Sequence, residues 1–476
     1  MTIAVQPTGS LRSELREFFK LATPLAAAQV TQSATGFADT IMMGRMGPES
    51  LAAGGLAAII FLAVMTTVTG AVMGVSPLVA EAFGAGQTRR IQQFVRQGLW
   101  LSLLVSIPLM IVMGHSGDIL VSTGQDAQIA RLASRYLNTV LWSLLPVTAF
   151  AALRATVSAL SVARPVMVII GIGTAFNIAG NYALGFGKWG LPELGLQGLA
   201  LATVLAWWGM FFALAAYVAW HPSLRSYAFF QSLHRVRPGV LKQLAWVGVP
   251  IGLFSGLESG FFMVITFWMG WLGTAALAAH QLVLQTIVVA FMVPLGISFA
   301  TTVRVGQWLG RRHRQGIVRA TGVSVSVTLV LMIGISALFL YFPRQVIGLY
   351  LDVNRPENRE IVAMAMPLLT IAAIAQILDG IQKAVYGALQ GLQDTRVPMM
   401  LNILGYWGIG LGSSYLFVFV FSMGPVGLWL GQSMAIVSVT ILFVWRLLHH
   451  FYKLRESLKT HQPNSRHYDE PCECSG

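Results

Sequence analysis

The chain of 476 residues is 55% hydrophobic and only 10% charged, with a mean hydropathy of +0.69. Ordinary soluble domains need about 25% charged residues on their surface, so this composition excludes a soluble globular protein. It equally excludes a disordered chain, which needs low hydrophobicity, and a membrane β-barrel, whose strands would be short and alternating. The formal net charge of +13 is spread over short loops, which argues against a nucleic-acid-binding domain.

Twelve apolar blocks follow one another along the chain. Each is about as long as a helix needs to be to cross ~30 Å of hydrocarbon. The blocks lie at residues 18–43, 51–80, 95–113, 130–152, 163–186, 195–219, 240–270, 275–303, 319–341, 360–388, 398–422 and 427–451. The sequence therefore predicts an all-α integral membrane protein with twelve transmembrane helices.

The loops between the blocks predict the orientation in the membrane. If alternate loops lie on opposite sides, one side, with both termini, holds 23 Lys and Arg residues and the other holds seven. The positive-inside rule makes the richer side cytoplasmic. We therefore expect a multi-pass protein of the cell (inner) membrane, divided into a cytoplasmic N-terminal segment 1–17, an N-lobe 18–219, a cytoplasmic linker 220–239, a C-lobe 240–451 and a cytoplasmic polar tail 452–476.

The two predicted lobes carry an internal repeat. Residues match in order at an offset of 226 early in each half, and at 233 and 229 further on. The pairs include Pro24 and Pro250, Gly47 and Gly273, Gly84 and Gly310, Pro165 and Pro398, and Gly195 and Gly424. Because each unit holds six spans, both copies would insert in the same orientation. Parallel repeats of this kind place a substrate path between the halves.

Three acidic residues lie inside predicted spans: Asp39, Glu258 and Asp379. An ionisable group in a membrane span costs about 2.5–3.5 kcal/mol or more, and such residues usually mark ion or proton pathways. The alternative is a structural carboxylate held by a neighbour. Asp379 has a candidate neighbour in Lys383, four residues later on the same helix face. Glu258 has no basic neighbour along its own helix.

Two amides on the fifth span accompany the acid of the first span. Asn177 and Asn181 are one helical turn apart and project from one face. Together with Asp39, their oxygens could replace the hydration shell of Na⁺, or could hydrogen-bond a proton-carrying carboxylate. The alternative is simple interhelical hydrogen bonding, worth about 1 kcal/mol. The coupling ion, H⁺ or Na⁺, stays open at this point.

Motifs of common enzymes do not occur in the sequence. There is no phosphate-cradling GxxxxGK[ST] loop and no HExxH, and no soluble region is large enough to bind ATP. We therefore expect a protein that is not an enzyme, needs no cofactor and draws energy from an ion gradient. Cys472 and Cys474 lie in the polar tail, which we expect to be solvated rather than to form a metal site.

Three motifs resemble those of the multidrug and toxic compound extrusion (MATE) transporters, and the resemblance covers roughly residues 15 to 450. They are Gly36-Phe-Ala-Asp39-Thr-Ile-Met-Met-Gly44, Leu277-Ala-Ala-His-Gln281 and Gly387-Ala-Leu-Gln-Gly-Leu-Gln-Asp394-Thr-Arg-Val-Pro398. The resemblance implies two six-helix lobes forming a V around a central cavity. It also implies export of cationic, amphipathic compounds in exchange for Na⁺ or H⁺. Small organic cations and the lipid bilayer are then the partners, and we expect a monomer.

The resemblance also implies roles for particular residues. Asp39 matches the acid of the N-lobe cation site, where transient Na⁺ would be held with Asn177 and Asn181, and Thr203 matches a further polar partner. Glu258 and Asp379 match the C-lobe acids of the NorM-like branch.

One departure concerns the C-lobe, where Ala375 stands in place of a tyrosine frequent in that branch. Together with Lys383, this favours H⁺ over Na⁺. The alternative function is a flippase for lipid-linked saccharides. A flippase would be expected to have basic residues in the cavity, whereas the spans here hold three acids against one lysine.

Overall fold

The structure is a computed structural model that describes residues 10–122, 127–231 and 233–459. Within these ranges all regular secondary structure is helical, which confirms the all-α prediction. In the first half the helices are α1 (Leu11–Arg45), α2 (Pro48–Val72), α3 (Val75–Gly84), α4 (Thr88–Gly114), α5 (Ser116–Ser122), α6 (Ala127–Val140), α7 (Leu144–Ala159), α8 (Arg164–Gly185), α9 (Leu196–Trp220) and α10 (Pro222–Arg225).

The second half continues in the same way. Its helices are α11 (Pro238–Trp271), α12 (Thr274–Gly310), α13 (Arg314–Tyr341), α14 (Pro343–Gly348), α15 (Arg359–Gly391), α16 (Arg396–Asn402), α17 (Leu411–Tyr415) and α18 (Gly424–Lys459). Two π-helical segments, Ile403–Gly410 and Leu416–Val420, alternate with α16 and α17, so that one span runs from 396 to 420.

Eleven helical stretches in the described part of the chain are long and apolar enough to cross a membrane. The helix α1, with 35 residues, is also long enough, but polar residues such as Gln29, Gln32 and Asp39 lower its hydropathy below that of the others. With α1 the long stretches number twelve among the described residues, in agreement with the predicted count. The least apolar of them, α1, carries Asp39, one of the three candidate functional acids.

The first and last described helices extend beyond the predicted spans 18–43 and 427–451. The helix α1 begins at Leu11, inside the segment predicted to precede the first span, because the Ser10 hydroxyl accepts a hydrogen bond from the Ser13 amide and caps the helix. At the other end, α18 continues to Lys459. The remainder of the predicted tail, with Cys472 and Cys474, lies outside the described residues.

Backbone geometry repeats with the sequence. Gly47 and Gly273, which pair at an offset of 226, precede α2 and α12 with φ of +112° and +119°. Gly195 precedes α9 with φ of +56°, and Gly424 is the first residue of α18 with φ of +58°. Side-chain-bearing residues rarely adopt these angles, so glycine is required at each position. The matched pairs therefore have matched conformations, as expected of a duplicated unit.

The two halves meet where α1 packs on α12 and α2 packs on α11. A methyl group at Gly70 of α2 would lie 2.8 Å from the Cα atom of Gly252 in α11, and one at Gly296 of α12 would overlap the Cα atom of Ala26 in α1. With the repeat offset of 226, Gly296 is the equivalent of Gly70, and Gly252 is the equivalent of Ala26. The second contact is thus the first one seen from the other half, as at a two-fold symmetric interface.

A second reciprocal contact lies between the end of α3 and the end of α12. A methyl group at Gly84 would overlap the carbonyl oxygen of Gln307, and one at Gly310 would overlap the carbonyl oxygen of Glu81. The same offset of 226 relates these pairs. Small residues let helix backbones approach closely, which is the main source of helix association in lipid.

A buried ion pair closes the same interface. The Arg304 guanidinium donates from Nε and Nη2 to the two carboxylate oxygens of Glu14 at 2.8 and 2.6 Å, and Trp308 Nε1 donates to the same carboxylate at 3.1 Å. Both charged side chains are only 3% exposed. A buried pair is tolerated only when hydrogen bonds satisfy its oxygens, as they do here, so α1 is fixed firmly against α12.

The turn between α15 and α16 is fixed to the end of α18. The Asp394 carboxylate accepts hydrogen bonds from Arg446 Nε at 2.6 Å and from His450 Nε2 at 2.7 Å. Burial alone would raise the pKa of Asp394, but the hydrogen bonds from His450 and Arg446 and their charges outweigh it and lower the pKa. The ionised carboxylate is therefore the form that the folded state favours.

We expect the substitution Gly248→Val to destabilise the interface between the halves. The new side chain would overlap the carbonyl oxygen of Ala71, so α2 and α11 would have to separate. Overpacking of this kind typically costs about 1–3 kcal/mol. The measurement is the temperature at which the detergent-solubilised protein loses its monodisperse elution profile. Gly209→Val is the matched control, because nothing lies within 4 Å of its added Cβ. Equal losses in both variants would contradict the interface.

We expect Asp394→Asn to lower the thermal midpoint at neutral pH, because the amide loses the charge that Arg446 stabilises. A carboxylate whose pKa is lowered by folding stabilises the protein above its unfolded pKa of about 3.9. That stabilisation is lost as the pH falls through the folded value. The difference between the variant and the unaltered protein should therefore shrink below about pH 4.

Asp352→Asn is the control for this comparison, because its pair with Arg355 is exposed and such pairs contribute little. If Asp394→Asn matched the unaltered protein at pH 7, the proposed stabilisation would be wrong.

Candidate ion and substrate site

The four residues predicted for the first half form one hydrogen-bonded cluster. Asn181 Nδ2 of α8 donates to Asp39 Oδ1 of α1 at 2.5 Å and to Asn177 Oδ1 at 3.2 Å. Asn177 Nδ2 in turn donates to Thr203 Oγ1 of α9 at 3.1 Å. The two amides and the hydroxyl are buried, and Asp39 is half-buried. The residues therefore come together as the sequence suggested, while their role in ion binding stays a prediction.

Helix packing explains the position of this cluster. The helix α8 packs against both α1 and α9, and Asn177 and Asn181 are four residues apart on it. A methyl group at Gly180 would lie 3.1 Å from Ala202 Cβ, so α8 and α9 approach each other closely there. The amides consequently lie within reach of a hydroxyl on one side and a carboxylate on the other.

The cluster is rich in acceptor oxygens. Among the described residues, Asn181 Oδ1 is buried and has no hydrogen-bond partner. An unsatisfied buried acceptor costs about 1–3 kcal/mol, so it needs a compensating ligand. Beside the negative charge of Asp39, such an oxygen suits either a monovalent cation or a protonated group.

One further residue lies near Asp39 that the sequence did not indicate. Tyr136 of α6 is buried, and its phenol is close enough to Asp39 to feel the charge of that carboxylate. A tyrosine among the apolar residues of an amphipathic helix looks like an ordinary core residue. Its position beside the acid depends on packing between distant helices, for which the sequence carries no local signal.

The acids of the second half are arranged differently from the prediction. Lys383 Nζ of α15 donates to Glu258 Oε1 of α11 at 2.5 Å, and the side chains are 3% and 15% exposed. Lys383 therefore pairs with Glu258 and not with Asp379, the candidate neighbour on its own helix. Glu258 has no basic neighbour along α11, as the sequence indicated, and its partner comes from α15. Spacing along one helix reveals neighbours on that helix only, whereas this partner comes from another. In the described ranges, Asp379 makes no ion pair within 4 Å.

Aromatic rings and a π-helical segment complete this second cluster. The Lys383 ammonium lies 5.3 Å from the ring centroid of Phe254 and 4.9 Å from that of Phe291. In the segment Ile403–Gly410, Tyr406 bonds to Gln382, and Trp407 Nε1 donates to the carbonyl oxygen of Leu257, the residue before Glu258. π-Helical turns occur frequently at functional sites, and the sequence did not predict this one.

Two equivalent halves, carboxylates within the spans of both, and twelve membrane-length helical stretches among the described residues are typical of a polytopic membrane transporter. The family model MatE matches residues 24–183 and 250–416, one stretch in each half. The chain belongs to the MatE family and is a NorM-like MATE transporter, as the motifs suggested.

Relatives support this assignment over nearly the whole chain. A protein named "Probable multidrug resistance protein NorM" from Synechocystis sp. is 50% identical over 436 residues, covering 92% of this chain and 95% of its own. A protein of the same name from Pseudomonas aeruginosa is 37% identical over 437 residues, covering 91% and 90%.

Solved structures agree in fold. A MATE family multidrug resistance transporter in an outward-facing conformation superposes with a TM-score of 0.85 at 20% identity, covering 94% of this chain and 99% of its own. The eukaryotic MATE transporter AtDTX14 gives 0.82 at 21% identity, with the same coverage.

Proposed function

We propose that the protein is an antiporter of the cell (inner) membrane, exporting cationic amphipathic compounds in exchange for H⁺ or Na⁺. In this proposal it works as a monomer, without a cofactor, and with both termini in the cytoplasm. The names of its relatives as multidrug resistance proteins support the class of substrate. The observation that carries the proposal is the Asp39 cluster, a carboxylate inside a span with a buried unpartnered amide oxygen beside it.

The charge of Asp39 supplies a simple mechanism of exchange. A carboxylate in surroundings of low dielectric constant attracts a cation much more strongly than it would in water. A substrate cation and the coupling ion would then compete for the same negative charge. Binding of one favours release of the other, which is the requirement for antiport.

The contacts between the halves support alternating access. The Glu14–Arg304 pair joins the start of α1 to the end of α12, and the glycine contacts join α1 to α12, α2 to α11 and α3 to α12. Asp39 lies 25 residues after Glu14 on α1, which is roughly 37 Å along a helix at 1.5 Å per residue. In our proposal these contacts close the cytoplasmic side, and the Asp39 cluster is reached from the other side. If these contacts separated, the Asp39 cluster would be reached from the cytoplasmic side instead.

The charges in the spans favour this proposal over a lipid-linked saccharide flippase. A flippase for an anionic lipid would need basic groups free to meet a phosphate. Lys383 is instead paired with Glu258 and is almost fully buried. The three carboxylates Asp39, Glu258 and Asp379 outnumber it, so the spans are better suited to cations.

Export of a cationic dye from cells or proteoliposomes should be abolished by Asp39→Asn. The asparagine oxygen can still accept the hydrogen bond from Asn181, so the cluster should stay folded while its charge is lost. The measurement is dye efflux under an imposed ion gradient, with a lipophilic anionic dye as a second substrate. Only the cationic dye should be exported by the unaltered protein.

Two controls belong to this test. Asp352→Asn changes an exposed acid and should leave efflux unchanged. The elution profile of Asp39→Asn should match that of the unaltered protein. A misfolded variant would show Asp39 to be structural, and equal export of anionic dye would show that the charge does not select the substrate.

The coupling ion can be identified by binding measurements on the detergent-solubilised protein. We expect H⁺, because the Lys383 ammonium beside Glu258 repels Na⁺ in the second half. Affinity for the substrate cation should fall on acidification at constant ionic strength. It should not change when Na⁺ is replaced by K⁺. Affinity that depends on Na⁺ and is flat with pH would instead identify Na⁺ as the coupling ion.

A further inference from the structure

The Lys383 ammonium occupies a cation cage formed by three helices of the second half. The helix α11 supplies Glu258 and, one turn earlier, Phe254, and α12 supplies Phe291. Asp379 lies one turn before Lys383 on α15 and is close enough to interact electrostatically with both Lys383 and Glu258. A carboxylate and two ring faces are the groups that bind an ammonium ion when water is excluded.

The energetics indicate that this ammonium is held firmly. Removing an ion from water costs several kcal/mol, and the attraction to a partner repays that cost only when the geometry is good. Here the nitrogen lies 2.5 Å from the carboxylate oxygen, the lysine side chain is 3% exposed, and two rings lie about 5 Å away. A lysine ammonium is also a compact point charge, similar in this respect to a monovalent metal ion.

In the described part of the first half, no lysine or arginine pairs with Asp39 in the way that Lys383 pairs with Glu258. Asp39 receives a hydrogen bond from an amide, and in the described part of the chain it makes no ion pair within 4 Å. The half-buried Asp39 is therefore open to a cation from solution. Glu258 already has one from its own chain.

We propose that Lys383 is a tethered cation that takes the place of a coupling ion in the second half, leaving ion exchange to the Asp39 cluster. This inference rests on the proposed antiport function and assigns the exchanging site within it. Both residues of the pair lie in the same half, on α11 and α15. The pair therefore persists when the halves move relative to each other.

Removal of the tethered cation should create a site for a free one. In Lys383→Ala, the carboxylates of Glu258 and Asp379 face the space that the ammonium filled, so the protein should bind one additional Na⁺. The measurement is radioactive sodium bound per molecule of detergent-solubilised full-length protein at saturation. The double variant Glu258→Gln/Lys383→Ala should lose the additional ion, and Lys383→Arg, which keeps the charge, should not gain it.

A second measurement covers the case in which Lys383→Ala does not fold. The proposal requires that any Na⁺ bound by the protein with Lys383 intact depends on Asp39. Sodium binding in Asp39→Asn should therefore be absent. Sodium binding that survives Asp39→Asn and is lost in Glu258→Gln would overturn the proposal, because the second half would then bind an external ion beside Lys383.

The remaining outcomes separate this inference from the proposed function. A folded Lys383→Ala that gains no Na⁺ would show that Lys383 only stabilises packing, even if the unaltered protein exports cationic dyes. Conversely, failure of the unaltered protein to export dyes under any ion gradient would contradict the antiport proposal, whatever the sodium stoichiometry.

Discussion

Direct contact of backbone with backbone between the two halves determines the arrangement of this molecule. In lipid no hydrophobic force draws one helix to another, so association depends on close packing. Gly70 and Gly252 on one side, and Gly296 and Ala26 on the other, allow that packing twice through the same set of positions. The relative position of the halves follows from these contacts. The burial of the Glu14–Arg304 pair at the same interface follows from it as well.

The duplication explains the repeated backbone contacts but not the positions of the acidic residues in the spans. Equivalent glycines have equivalent backbone angles and equivalent contacts. The acids do not repeat: the position 226 residues after Asp39 is Ile265, and the position 226 residues before Glu258 is Gln32. The carboxylates Asp39 and Glu258 therefore occupy non-equivalent positions on a shared frame. In the first half, Asp39 accepts a hydrogen bond from an amide. In the second half, Glu258 is bonded to an ammonium group.

Much of the fold could be predicted from the sequence, because a span of hydrocarbon requires a long apolar helix. The cluster of Asp39, Asn177, Asn181 and Thr203 was also predictable, since helical spacing aligns the amides and the family motifs point to the acid. The partner of Glu258 could not be predicted from the sequence. Lys383 is 125 residues away from Glu258 on another helix. Asp379 is only four residues from Lys383 and was therefore the candidate partner of the lysine. Tyr136 and the π-helical segment Ile403–Gly410 were missed for the same reason, because only packing between helices positions them.

The glycine contacts also affect how quickly the halves could part. Where side chains of two helices interlock, those side chains must change rotamer before the helices can separate. A contact between backbones has no interlocked side chains. Along Gly70, Gly252 and Gly296, separation requires no side-chain rearrangement of the glycines themselves. The slow step would then be the rehydration of the Glu14 carboxylate and the Arg304 guanidinium, two ions that must regain water as their three hydrogen bonds break. Gln307, which donates to Ala159 and Ser161, and Gln393, which donates to Glu81, would also have to exchange their partners for water. The rate of opening would then be set by these polar contacts and not by the glycine packing.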